Sequence, residues 1–290
     1  MSERRGTIAL EDAEILEHRA FPGNQFILRV RAPRAAARAE PGSFAHLTCA
    51  AAVPLRRPLS IMRADADSGS LEFLYKPVGA GLSALARRTP GERLSVLAPI
   101  GRGFVPDPLR PRMLALGGGV GIPPMIFLAE RMRSRTGVNM TVLMGSEVPF
   151  PFELTAARLA LPGAPAAATH AVALLERWGV ASRLTSNAGL PGAYAGFITE
   201  LAASHLATLS SEQIAQTQLF GCGPAAMLQA TASLARRFGL PCQLALEEYM
   251  ACGVGGCAGC TVLLHTAAGP AMTRVCVDGP VFDALEVYPQ

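Results

Sequence analysis

The rhythm of hydrophobic and polar positions changes twice along the chain. From residue 7 to about 99, apolar runs of strand length (25–31, 45–49, 59–63, 70–75 and 93–97) are separated by Pro22-Gly23, Pro41-Gly42, Ser68-Gly69 and Pro90-Gly91. Many short strands at this spacing predict an antiparallel barrel, with one helix over 81–88 capping it. Past Pro106, Pro108 and Pro111 the period lengthens. Strands over 112–116, 139–145 and 218–221 alternate with helical patterns over 125–135, 152–161, 196–206 and from the turn at 222–227 to about 238. Segments 171–176 and 181–185 read as strands or strand edges. This βα alternation predicts a parallel-sheet α/β domain. The expected organisation is a barrel over 1–105, the α/β domain over 106–245 and a small glycine-rich module over 246–290.

Composition narrows the class. Half of the 290 residues are hydrophobic and 17% are charged, which excludes a disordered chain. The net charge of +4 is scattered without a block of one sign, so a nucleic-acid surface is not indicated. Residues 1–15 hold no apolar core of signal-peptide length, and no run of about 18 apolar residues predicts a membrane span. With free thiols in use, this points to the cytoplasm. The five histidines are scattered, and they read as solvated or packed rather than catalytic.

The chemistry concentrates in the last stretch, 246–287. Cys252, Cys257 and Cys260 are spaced C-x4-C-x2-C, and Cys276 follows after fifteen more residues. That is the plant-type ligand pattern of a [2Fe–2S] cluster. The interspersed glycines let the loop wrap tightly and free amides to point at sulfur. A structural zinc site usually brings two C-x-x-C knuckles, and only Cys257 and Cys260 form one. Upstream, Arg57-Pro58-Leu59-Ser60 offers a guanidinium for a pyrophosphate and a hydroxyl suited to a flavin ring edge. Taken alone, the same residues serve equally well as an edge strand with a solvated arginine. Leu74-Tyr75-Lys76 runs into the Gly81-Leu82 turn and carries the only lysine of the chain. In the middle domain, a strand enters Gly117-Gly118-Gly119-Val120-Gly121, and another enters Cys222-Gly223-Pro224. Both strand–turn–helix elements present free amides of the kind that hold a dinucleotide pyrophosphate. Cys222 reads either as a small packing residue or as part of a nicotinamide face.

These motifs together resemble the ferredoxin-reductase superfamily. Glu247–Cys260 (E-E-x-M-x-C-G-x-G-x-C-x-x-C) and Val275–Phe282 (V-C-x-D-G-P-V-F) are similar to the electron-transfer subunits of type B dihydroorotate dehydrogenase. The resemblance implies FAD on Arg57, Pro58, Leu59, Ser60, Leu74, Tyr75, Lys76, Gly81 and Leu82, where Leu82 stands at a position that is commonly Thr in the family. It implies NAD as the electron acceptor, for which the two strand–turn–helix elements offer Gly118, Gly119, Gly121, Cys222, Gly223 and Pro224, and it implies cluster ligation by Cys252, Cys257, Cys260 and Cys276. It further implies an FMN-containing dihydroorotate dehydrogenase catalytic subunit as partner, in a heterotetramer of two of each, with electrons passed to NAD+ in pyrimidine (UMP) biosynthesis. The loop 185–189 lacks the acidic residue often found there. The same module in another redox complex, or a zinc-stapled binding module, are the alternatives. Val254, Val281 and Phe282, apolar and next to the ligands, are candidates for the docking surface, with core packing expected for at least one of them.

Overall fold

A computed structural model describes residues 7–289. Six strands close an antiparallel barrel: β1 (Ala9–Phe21), β2 (Gln25–Arg31), β3 (Phe44–Leu47), β4 (Arg57–Asp65), β5 (Ser70–Tyr75) and β6 (Arg93–Ile100), in the order β1-β2-β5-β4-β3-β6. Helices α1 (Pro33–Ala36) and α2 (Gly79–Leu85) follow β2 and β5. The barrel is filled by Leu28, Val30, Leu47, Ile61, Leu71, Phe73, Tyr75 and Val96, all essentially without solvent exposure. Burial of each large side chain contributes about 1.5–3 kcal/mol. The strand that polarity conceals is β1. Its inward positions are Ala9, Ala13 and Ile15; Asp12 and Glu17 meet arginines of the neighbouring strands, Arg93 at 2.6 Å and Arg29 at 3.2 Å, and Glu11 accepts from the amides of Arg34 and Ala35 in α1. Such exposed pairs contribute little; the small inward residues are what allow the strand to close the barrel.

The second layer is a sheet in the order β11-β8-β7-β12-β13-β16. Its members are β7 (Arg112–Gly118), β8 (Asn139–Gly145), β11 (Ala181–Thr185), β12 (Thr217–Cys222), β13 (Cys242–Ala245) and β16 (Val281–Asp283); between them in chain order lie β9 (Leu154–Ala156), β10 (His170–Val172), β14 (Thr261–Thr266) and β15 (Gly269–Arg274). Five of the six sheet strands are parallel, and β16 pairs antiparallel with β13. The helices of this half are α3 (Ile122–Met132), α4 (Ala173–Arg177), α5 (Ile198–Leu206), α6 (Ser211–Ala215), α7 (Ala225–Phe238) and α8 (Ala284–Val287).

Several elements differ from expectation, each for a local reason. The helix expected over 152–161 is instead β9, paired with β10 in a two-stranded ribbon. Pro149, Pro151 and Pro162 bracket that segment, and proline supplies no amide for a helical ladder. The strand expected over 171–176 ends at Val172, where α4 takes over. The helix expected to start at 125 starts at Ile122, with proline in its first turn, where amides have no helical partner anyway. The sheet is not wholly parallel, because the C-terminal module sends β16 back to its edge after the β14–β15 hairpin.

Helix α3 joins the two halves. Phe127 lies in the barrel core, whereas Ile126, Leu128, Ala129 and Met132 pack in the sheet core together with Ile27, Met62 and Leu74 from the barrel. Glu130 accepts from Arg63 of β4 at 2.6 and 2.9 Å. At the head of α3, a Cβ on Gly121 would lie 2.3 Å from the carbonyl oxygen of Cys222. Two backbones are in contact there, and neither can yield as a side-chain end would. Gly121→Ala is therefore expected to destabilise the protein by about 1–3 kcal/mol, read as a lower urea midpoint with an unchanged slope.

Candidate functional site

The four cysteines expected as ligands are brought together by the turn that follows β15. Val275 donates its amide to the carbonyl of Cys260 at 3.0 Å, and Asp278 accepts from the Arg274 amide at 2.9 Å, closing the turn that carries Cys276. The thiols fall into two contacting pairs, Cys252 with Cys257 and Cys260 with Cys276. That is a donor set for two irons with two thiolates each. Among the described residues, no three His, Cys, Asp or Glu side chains gather about a single ion position. Amides of Val254 and Gly259 point at the sulfurs of Cys252 and Cys257, each at 3.4 Å. Burial would raise the Cys252 thiol, but amide donation from Val254, Cys257 and Gly256, together with the Cys257 thiol, outweighs it and brings the pKa down to about 7. Cys276 is pushed up to about 12 by burial first and then by the Cys260 thiol beside it. One pair thus faces outward, with Cys257 exposed and Cys252 half-buried. The other pair sits in an apolar cluster with Phe44, Ile100, Leu264, Val275 and Phe282.

The two pieces of the barrel motif also meet. A Cβ on Gly81 would fall 2.5 Å from Nε of Arg57, so the guanidinium lies on the bare backbone of α2. Among the described residues, Arg57 donates only to main-chain oxygens of Leu55 and Arg56, at 2.6 and 3.2 Å. Its neighbour Arg56 is committed to the barrel: it donates to the Ser95 carbonyl and hydroxyl, both at 2.9 Å, and to the His46 carbonyl at 3.3 Å. Adjacent arginines therefore divide into one that holds strands together and one that remains able to take a phosphate. Ser60 and Pro58 are half-buried, Lys76 is exposed, and Leu82 is half-buried against the barrel core. Leu59, Leu74 and Tyr75 are buried. The Tyr75 hydroxyl is engaged by His18 at 2.9 Å and its ring stacks on Phe26, so Tyr75 has only its backbone to offer a ligand.

In the sheet, the loops after β7 and β12 pack on one another at the carboxyl ends of adjacent parallel strands, where open α/β sheets bind ligands. The Met227 thioether covers both: a Cβ on Gly118 would lie 2.6 Å from its sulfur, and one on Gly223 would lie 2.7 Å from its methyl. Gly119 is backbone-only in the turn, Pro224 is exposed at the start of α7, and Cys222 is buried at 1% exposure. Burial, then the nearby Glu247, raises the Cys222 thiol well above its ordinary value, which makes it a neutral packing group. The loop 185–189 does have a carboxylate beside it, from another strand: Glu147, just beyond β8, accepts from the Asn187 amide at 3.4 Å.

Local patterns gave no signal for Met227, Glu147 or His46. His46 is fully buried, with neither ring nitrogen hydrogen-bonded among the described residues. Burial, then Arg56 and Arg57, lowers its pKa to about 4, so the ring is neutral. Of the three apolar residues expected near a docking surface, Phe282 is core and Val281 is half-buried against Gly42. Val254 is 51% exposed, in a segment where Tyr249 is 93% exposed. A cavity of about 680 Å³ between the barrel and α3, walled by Arg63, Glu130, Arg133 and Trp178, includes none of the expected site residues.

The model of the iron–sulfur cluster binding domain of dihydroorotate dehydrogenase B matches residues 247–288. The electron transfer subunit of dihydroorotate dehydrogenase B (NAD(+)) from Geobacillus thermodenitrificans is 34% identical over 97% of this chain and 99% of its own. The protein of the same name from Desulforamulus reducens is 27% identical over 95% of this chain and 97% of its own. Among solved structures, a chain of an NADH-dependent reduced ferredoxin-NADP oxidoreductase superposes with a TM-score of 0.74 at 22% identity, covering 96% of this chain and 90% of that one. A ferredoxin reductase of carbazole 1,9a-dioxygenase gives 0.62 at 23% identity, covering 81% and 67%. These two establish likeness of fold.

The division between the two arginines is testable. Arg56→Ala is expected to lower stability by about 1.5–3 kcal/mol, the range for hydrogen bonds from a charged group. Arg57→Ala should stay within about 0.5 kcal/mol of the parent in stability and instead weaken flavin retention roughly 10- to 100-fold. Urea unfolding and flavin content after gel filtration read the two effects separately.

Proposed function

The chain belongs to the family of electron-transfer subunits of NAD+-dependent dihydroorotate dehydrogenase B, and from that premise we propose that it conducts electrons from an FMN-containing catalytic partner, through one [2Fe–2S] cluster and one FAD, to NAD+. The observation that carries this reading is the pairing of the four cysteine sulfurs beneath inward-pointing amides, directly against the barrel that holds the flavin motif.

The residues present suit the groups. Cys252, Cys257, Cys260 and Cys276 would supply four thiolates, and the loop amides would offset the charge that four thiolates concentrate. Arg57 would pair with the flavin pyrophosphate, and the bare backbone at Gly81 admits its guanidinium. Pro58 and Ser60 share one barrel face by strand alternation and would border the ring. Gly118, Gly119, Gly121, Gly223 and Pro224 would present backbone to the NAD pyrophosphate, with Cys222 packed beneath them. Bound there, a flavin supplies the exchange between hydride and single electrons, and an iron–sulfur cluster carries the electrons one at a time. The protein's own contribution is placement, exclusion of water from the Cys260–Cys276 side, and the local field. The outward pair, Cys252 and Cys257, together with Val254 and Tyr249, would face the catalytic subunit, in a heterotetramer of two of each. Four free thiolates also call for a reducing compartment, the cytoplasm. No helix among the described residues is long and apolar enough to cross a membrane.

Cys276→Ser is expected to lose most of the iron and acid-labile sulfide while FAD content holds, because Cys276 lies on the cluster side of the barrel wall. Loss of FAD with the cluster intact would contradict that separation. The function itself is tested by purifying the chain with the dihydroorotate-oxidising subunit from the same genome. The complex should reduce NAD+ with dihydroorotate and show flavin and iron–sulfur absorption. A complex whose partner lacks FMN, or zinc in place of iron and sulfide, would sink the reading.

A further inference from the structure

His46 is a polar group that neither the fold nor the site described above has used. The residue is 0% exposed, and both ring nitrogens are buried without a hydrogen-bond partner among the described residues. Buried polar atoms in folded proteins are nearly always paired, with protein, water or a bound group.

The surroundings indicate which partner is missing. Strand register sets His46 opposite Pro58 and Phe44 opposite Ser60. With a side-chain period of two, these four residues share the barrel face that carries the flavin motif. The cluster loop lies against the same ring: a Cβ on Gly253 would come 2.8 Å from Nδ1 and 3.1 Å from Cε1 of His46. Gly253 directly follows Cys252, and its φ of +68° turns the loop at that point. Phe44, edge-on to the imidazole at 6.2 Å, packs in one apolar cluster with Cys260 and Cys276. His46 thus stands between the flavin face and the four thiols, touching the loop that carries one of them. A neutral imidazole offers one N–H and one lone pair.

We propose that His46 is a positioning residue for electron transfer: its Nδ1–H donates to a sulfur of the [2Fe–2S] group held by Cys252, Cys257, Cys260 and Cys276, and so sets the potential at which that group exchanges electrons with the flavin side. The proposal rests on the cluster assignment above. An N–H donor stabilises the more negative, reduced cluster more than the oxidised one and raises its potential. A buried donor is strong because water does not compete for it.

The test uses the full chain with its cofactors, as His46→Phe and His46→Asn beside the parent, with iron, sulfide and FAD measured first. In a potentiometric titration followed by electron paramagnetic resonance, His46→Phe should lower the reduced-to-oxidised ratio at a fixed potential about tenfold, equivalent to ~59 mV for a one-electron carrier. His46→Asn, whose amide N–H can stand in for Nδ1–H, should recover most of the shift. In parent protein labelled with 15N-histidine, pulsed resonance of the reduced cluster should show a 15N coupling that His46→Phe abolishes. An unchanged cluster potential with normal iron and sulfide overturns the proposal. So does a 15N coupling that persists in His46→Phe, which would belong to His265 of the cluster module, or a shift confined to the flavin. If His46→Phe fails to assemble, the parent's coupling and the His46→Asn potential decide. Absence of iron and sulfide from the parent would instead defeat the cluster assignment itself.

Discussion

The architecture depends on one helix being buried on nearly every side. α3 presents Phe127 to the barrel and Ile126, Leu128 and Met132 to the sheet, so neither core is complete without it. A helix apolar on nearly every side has little solvent face to turn outward, and its rotation is pinned by Glu130 on Arg63. The glycine loop proposed for NAD leads directly into its first turn, with Gly121 at the cap. Whatever fixes α3 therefore fixes the nucleotide loop against the flavin-motif barrel, and hydride exchange between two separate sites requires that kind of rigid placement.

The C-terminal module is held differently. It adds no independent core of the usual size; Cys260 and Cys276 share their apolar cluster with Phe44 and Ile100 of the barrel, and β16 completes the edge of the sheet. The cysteine loop is thereby suspended between both larger units. Its outward thiols stay reachable by a partner, while its inward thiols and His46 are shut away from water. The asymmetry in the thiols, with Cys252 lowered by amide donors and Cys276 raised by burial, follows directly from that suspension.

Much of this was legible in local patterns. The barrel strands over 25–31 and 70–75 and the sheet strands over 139–145 and 181–185 lie where alternation and turn residues put them, because a strand's period and its bounding glycines and prolines are properties of a few consecutive residues. Cysteine spacing was equally informative, since a short loop limits which sulfurs can meet. Polarity misled where an element's inward residues are small, as in β1, and where an apolar run between prolines resembled a helix, as at 152–161.

The chain alone therefore determined the order of units, the ligand spacing, and the two glycine-lined turns at strand ends, all encoded within a few residues of one another. Tertiary structure decided the rest. It separated Arg56 from Arg57, enclosed Tyr75, chose Phe282 for the core and Val254 for the surface, supplied Glu147 to a loop forty residues away, and set His46 against Gly253. Each of these depends on which distant segments share a face, and that is settled by the packing of whole layers, to which no single stretch of sequence holds the key.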